Sequence, residues 1–378
     1  MNLPQTPPAS LSELIRYFSQ DKAETAFDPN KNQQTFYIYE MGRGIKQLSN
    51  QLFADFEDTI TPWPYPFLRS AWFALFFTDP ENSEDYHVWF LKFPLDEQGK
   101  LVQAARDDFL KQFYNQIQKR QSNQTNKDNL ITTDSLAAES PYGFKPSEEK
   151  IANINAIVKH KINKLPSKYY LDVLKYLYPQ QLENKQQWDG WKSLGYQGLA
   201  DLTCHMHNQY HEKIIEQQLA DNIQFLPIEM LKALSTCLEH HQLSQALADA
   251  LTKRALKLNQ LDNMIACLRS ISASNKQSIN SLLKQALSSD YKGNIELLAV
   301  VCGRCWDNLQ EPWLMQLFLE ALARTETTKG SSAEAFNIMV NDLLFIPGMR
   351  ETLLEQFRNP QRSTELTIAI GAFYSSTR

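Results

Sequence analysis

Three prolines at alternate positions, Pro62, Pro64 and Pro66 in TPWPYPF, constrain this chain more tightly than any other feature. A proline lacks the N–H that a helix interior or central strand must donate, and it pushes the preceding residue toward extended conformations. Residues 61–67 are therefore expected as an extended surface segment, pinned by Trp63 and Tyr65. Residues 69–78 and 86–93 follow, flank the turn-rich DPENSED, and are expected as antiparallel neighbours in a sheet. Trp72, Ala74 and Phe76 would share one face and Phe73, Leu75 and Phe77 the other, so both faces need cover. A helix over 66–77 competes, because an apolar run this short has no decisive period.

Around this hairpin the sequence supplies a small α+β head, residues 1–118. Ser10 and Glu13 form a capping box before a short amphipathic helix carrying Leu11, Leu14, Ile15 and Phe18. TFYIYE, 35–40, alternates like a strand, and Gly42-Arg43-Gly44 supplies a turn into a short strand near Ile45 and then a helix. Leu101, Ala105, Phe109, Phe113 and Ile117 make one helical stripe. Residues 119–144 are polar and aperiodic. So little apolar surface does not offset an ordering cost of about 1–2 kcal/mol per residue, and the stretch reads as a flexible tether.

Residues 145–378 read as nearly all helix. LKALSTCL from Leu231, MIACLRSI from Met264, LLAVVCGR from Leu297 and FNIMVNDL from Phe336 superpose at separations of 33, 33 and 39 residues. Their partners ALTKRAL from Ala250, LLKQALS from Leu282, FLEALAR from Phe318 and LLEQFRN from Leu353 superpose at 32, 36 and 35. Helical hairpins recurring near this length describe an α-solenoid of the HEAT or armadillo kind. An irregular helical bundle is the competing architecture. The expected fold class is thus α+β, a head with an antiparallel hairpin followed by an all-α region.

Net charge of −5 and a pI near 5.9 argue against nucleic acid as a partner. MNLPQTPPAS has no leader character and no apolar run reaches the roughly 20 residues of a membrane span, so a cytoplasmic protein is expected. All 5 cysteines lie from Cys204 onward in helix-like stretches, as reduced core thiols do. Neither GxxxxGK[ST] nor GxGxxG occurs, and no cofactor is expected. The lone CxxC of Cys302 and Cys305 ends an apolar helix, where packing explains it better than redox chemistry.

In CHMHNQYH, Cys204, His207 and His211 would share a helix face, which makes them candidate metal ligands; the plainer reading is a core cysteine beside surface histidines. In the head, Glu40, Arg43, Arg69 and Asp96, with Glu97, Arg106, Asp107 and Asp108, are candidates for a polar cleft. Arg106 beside two aspartates is equally a solvated helix face. Trp63 and Tyr65 are the interface candidates, since large aromatic rings give contact area at low entropic cost.

YIYEMGRGIKQLS, the WPYPF and AWFALFF run, HVWFLKFPLDEQGKLVQAARDDFL, PSKYY and GYQGLADL together resemble an uncharacterised gammaproteobacterial family known only as a domain of unknown function. The resemblance covers most of the chain. It implies a bacterial cytoplasmic protein and assigns no site residue. The expected function is a non-enzymatic scaffold that holds a protein partner. The alternative is an enzyme with a polar site between head and helical region.

Overall fold

The two-sided apolar run forms strand β3 (Ser70–Thr78) of a four-stranded antiparallel sheet that also contains β1 (Phe36–Glu40), β2 (Lys46–Leu48) and β4 (Tyr86–Pro94), in the order β2-β1-β3-β4. The computed structural model describes residues 8–19, 36–78, 86–122, 137–178, 185–210, 213–325 and 332–376. The chain divides into two compact units, residues 1–146 with 345–347, and 147–344 with 348–378.

In the first unit, Ala74 faces Phe90 and Leu75 faces Trp89, so Phe73, Leu75 and Phe77 share a face with Trp89, Leu91 and Phe93. That face is fully buried under three helices: α1 (Leu11–Ser19), α2 (Asn50–Glu57) and α3 (Gln103–Ser122). Leu11, Leu14 and Ile15 cover it from α1, Phe53 and Phe56 from α2, and Ala105, Phe109 and Phe113 from α3, the expected stripe. The Ser10 hydroxyl accepts the Glu13 N–H at 3.0 Å, completing half of the capping box. Phe18 lies outside the residues whose side chains are described.

Trp63 corrects an expectation. The prolines do keep its segment out of the sheet, but the segment crosses the core face instead of lying on the surface. Trp63 is 0% exposed, its ring centroid 4.8 Å from Phe56 and 5.7 Å from Phe73, and its indole N–H donates to the Tyr65 carbonyl at 3.1 Å. With no ladder to join, the extended segment delivers its largest ring inward, and burying about 200 Å² of indole favours that over solvent.

The stretch read as a tether also ends differently. Residues 123–136 lie outside the description, but 137–144 return to the sheet. Lys92 N–H donates to the Tyr142 carbonyl at 2.8 Å and Phe144 N–H to the Phe90 carbonyl at 3.1 Å, covering the outer edge of β4. The Phe144 ring meets Trp72 at 4.9 Å and Phe90 at 5.8 Å on the sheet's second face, while Tyr142 stacks on Phe93 at 5.1 Å. Gly143 is required here, because a Cβ would sit 2.5 Å from the Ala137 carbonyl oxygen and 2.6 Å from that of Ala138.

The second unit contains thirteen α-helices among the described residues, α4 to α16. They are α4 (Glu148–Lys161), α5 (Tyr169–Leu177), α6 (Tyr196–Cys204), α7 (Ile215–Asn222), α8 (Ile228–Leu238), α9 (Gln245–Leu258) and α10 (Leu261–Ile271), then α11 (Lys276–Ser288), α12 (Ile295–Arg304), α13 (Pro312–Ala323), α14 (Ser332–Leu344), α15 (Met349–Arg358) and α16 (Thr364–Ser376). Each packs on the helix two places further along: α4, α6, α8, α10, α12, α14 and α16 form one row, and α5, α7, α9, α11, α13 and α15 the other. The four superposable segments from Leu231 to Phe336 lie in α8, α10, α12 and α14, all in the first row; their four partners lie in the second. The chain is therefore α+β, a four-stranded antiparallel sheet followed by a mostly helical region.

One turn in the first unit is strained. Phe67 and Ser70 exchange both backbone hydrogen bonds at 3.1 Å, with Leu68 (φ 48°) and Arg69 (φ 59°) left-handed between them. A two-residue turn of this hand asks for Asn-Gly; a branched, bulky residue there costs about 1–2 kcal/mol. Leu68 is 56% exposed and loses little packing on replacement. Leu68→Asn is expected to raise the stability of the full-length protein by about 0.5–1 kcal/mol, read as a higher urea midpoint at unchanged slope.

Candidate functional site

Of the polar residues singled out in the head, Glu40, Arg43, Asp96 and Arg106 hold backbone groups. Glu40, 1% exposed at the end of β1, accepts the Arg43 N–H at 2.6 Å and the Gly44 N–H at 2.9 Å, closing the turn into β2. Arg43 is also buried, and its Nε donates to the Pro66 carbonyl at 2.7 Å, tying that turn to the proline segment. Asp96 accepts the N–H groups of Gln98 and Lys100 at 2.8 and 2.9 Å, an Asx turn that lets Gly99 take φ 75°. Arg69 sits in the left-handed turn after Leu68, and Tyr65 is half-buried, with the Lys46 ammonium 5.2 Å from its ring centre. Arg106 donates to the Glu57 carbonyl at 2.8 Å and pairs with Asp107 at 2.7 Å.

The second unit gathers its chemistry-bearing side chains where helices of the first row end. CHMHNQYH is not one helix: α6 stops at Cys204, His205 takes the cap position, and residues 205–208 turn into the short hairpin of β5 (Gln209–Tyr210) and β6 (Lys213–Ile214). The expected convergence of Cys204, His207 and His211 on one helix face is therefore lost. His207 is 73% exposed on its side chain, 3.5 Å from the Glu216 carboxylate, and His211 lies outside the described residues.

His205 instead meets His160 from the last turn of α4. Its Nδ1 lies 2.8 Å from the Asp201 carbonyl and so carries the proton, which leaves its Nε2 to accept, 3.4 Å from Nδ1 of His160. The two rings stand edge to face at 4.7 Å, with Tyr170 5.3 Å from His205. Burial and the His205 ring lower the His160 pKa. Nε2 of His241, just past α8, is 3.9 Å from the Cys204 sulfur. Burial and the neighbouring His207 and His160 push the His241 pKa down to about 4, so its imidazole is neutral. Burial pushes the Cys204 thiol far up, which removes the thiolate a nucleophile needs. Burial likewise raises Cys237, Cys267 and Cys305 to about 12, as expected for core thiols. Among the described residues, no three His, Cys, Asp or Glu side chains converge to hold a metal ion.

Beside this cluster, Glu239 caps the end of α8 with its side chain 1% exposed. It accepts from both Nε and Nη2 of Arg269, in the last turn of α10, and from Nε of Arg304, at the end of α12, at 2.9 Å. Burial alone would raise this carboxyl; the Arg269 hydrogen bonds and the Arg304 charge outweigh it and hold the pKa at about 2. His240 lies 3.6 Å from Glu239, but burial lowers its pKa to about 3, so at neutral pH the contact is not an ion pair. No sequence spacing announced this clamp, since its members are 30 and 65 residues apart.

An antiparallel sheet capped by helices and followed by two rows of packed helices defines an α+β protein in which helix packing dominates. The chain belongs to the family described as protein of unknown function DUF3549, whose model matches residues 29–374. No curated protein and no solved structure matches it. No helix among the described residues is long and apolar enough to cross a membrane.

Two outcomes follow from these environments. Glu239→Gln weakens a buried charge-assisted network and is expected to lower stability by about 2 kcal/mol in urea unfolding. His240 and His241 ionise at about 3 and about 4 when folded, against roughly 6.5 when unfolded. Their contribution is therefore present above about pH 6.5 and lost as the pH falls toward the folded values, because the unfolded chain takes up protons first. The urea midpoint is expected to fall between pH 7 and pH 5, and His241→Gln to flatten that fall.

Proposed function

We propose that this chain is a non-enzymatic interaction scaffold of the helical-repeat kind, cytoplasmic and bacterial, whose paired helices present an extended surface to a protein partner. The observation that supports it is the packing order from α4 to α16, where each helix through α14 rests on the helix two places on. Stacking of this kind gives each helical pair the neighbours it needs for its core and leaves a long surface for binding. The chemistry-bearing groups add to this support: thiols raised by burial, imidazoles lowered by it, and a Glu239 carboxylate committed to two arginines belong to structure more than to turnover.

The alternative, an enzyme using Glu40, Arg43, Arg69 and Asp96, finds less support, since Glu40, Arg43 and Asp96 are spent on backbone groups. Crosslinking mass spectrometry on the tagged full-length chain in lysate of its source cells tests the scaffold reading. One specific partner crosslinked to several first- or second-row helices is the expected result. No partner enriched over a heat-unfolded control would overturn it.

A further inference from the structure

We infer that the loop joining α4 to α5, with the start of α5, is a docking surface for an acidic peptide segment carrying apolar side chains. The inference rests on the scaffold reading and names the chemistry of its partner. From Lys159 at the end of α4 up to Asp172 the chain has four lysines and no carboxylate, in a protein whose net charge is −5, and Lys159 and Lys164 among them are half-buried. Lys161 and Lys168 are exposed, and between them stands Leu165, 87% exposed, with Tyr169 at 44% and Leu171 at 53% close behind. Lysines alone would read as a solvated helix end, where cations suit the helix dipole. Leu165 and Tyr169, large and left in water beside them, do not fit that reading.

The loop is also rigid. Ile162 and Lys164 N–H groups bond back to the carbonyls of Val158 and Lys159, Asn163 takes φ 55°, Pro166 fixes the backbone, and the Ser167 N–H donates to the buried Asp201 carboxylate at 2.8 Å. Tyr169 sits under the Lys168 ammonium, 5.2 Å from its ring centre. Leu165 is thus displayed from a fixed frame, so a partner burying it orders little new chain, the condition under which apolar contact converts most fully into affinity. Charge complementarity sets the partner's sign. The exposed Asp172 and the acidic remainder of the chain disfavour an extended polyanion, a nucleic acid or an anionic bilayer, and favour a short acidic segment whose apolar side chains cover Leu165 and Tyr169.

The test uses the full-length protein and a fluorescein-labelled short peptide of glutamates interspersed with leucines, with its glutamine counterpart, read by fluorescence anisotropy. Lys161→Glu/Lys168→Glu and Leu165→Ser alter exposed side chains, and far-UV circular dichroism checks that each remains folded. Binding of the glutamate peptide, absent with the glutamine peptide and weakened at least about fivefold in both variants, is the supporting result. Equal binding by either folded variant overturns the inference, as does tighter retention on phosphatidylglycerol vesicles or duplex DNA than on the peptide. Repeating the lysate crosslinking on the two variants separates the readings: a partner crosslinked as in the unaltered chain overturns this surface while the scaffold stands.

Discussion

Buried or half-buried carboxylates that accept the N–H groups of helix starts recur through both units, and much of the chain's path depends on them. The first N–H groups of a helix have no intrahelical partner and gather positive potential, so a carboxylate brought to them from another element joins the two. Glu57 takes the N–H groups of Leu11 and Ser12 and so docks α1. Asp201 of α6 takes Ser167 ahead of α5, Glu216 of α7 takes Ser244 at 2.6 Å ahead of α9, and Glu320 of α13 takes Ser363 at 2.9 Å ahead of α16. Each bond satisfies a donor whose burial unpaired would cost about 1–3 kcal/mol. At Glu57, burial outweighs these bonds and raises the carboxyl pKa, so keeping this joint charged carries a desolvation cost.

This use of acidic side chains also explains what a reading of the sequence captures and what escapes it. Strand β1 and the stripe on α3 follow from apolar periodicity, because burying one face of a strand or helix is decided locally, whereas β3, apolar on both faces, is told from a helix by its pairing with β4 across a turn-rich loop. The helical pairs from Leu231 onward fall in separate rows for the same reason: their apolar phase fixes which face turns inward. The roles of Asp201 and Glu239 depend on partners brought close only by the fold, and Glu40 closes a local turn through the backbone N–H groups of Arg43 and Gly44, which no side-chain pattern announces. A carboxylate that closes a turn looks, in sequence, like one waiting for a substrate.

Local chain breaks are equally hidden in sequence. Nothing at Cys204 stops a helix as a proline would, so continuing it through His211 was the natural extrapolation, and the histidine pairing moved from one segment to three helix ends. His160 and His241 lie 45 and 36 residues from His205 and share no motif with it. At Trp63, proline's exclusion from a ladder goes with full burial of the ring. Excluding backbone from a sheet says nothing about where the side chain goes. Residues 137–144 escaped because their apolar content, chiefly Tyr142 and Phe144, is small in sequence yet fits two faces of one strand.

The Glu239 clamp bears on how the second unit comes apart. In a stack held only by neighbour contacts, each repeat can fray independently from an end, and stability is a sum of local terms. One carboxylate gripping arginines from the next two helices of its row adds a coupling that skips a neighbour, so α8, α10 and α12 share a single electrostatic joint. Opening α8 strands both arginines, and opening α10 or α12 leaves Glu239 with one of its two partners. The middle of the row therefore behaves as one cooperative block in hydrogen exchange, with slow and nearly uniform protection, while the helices outside it open piecemeal.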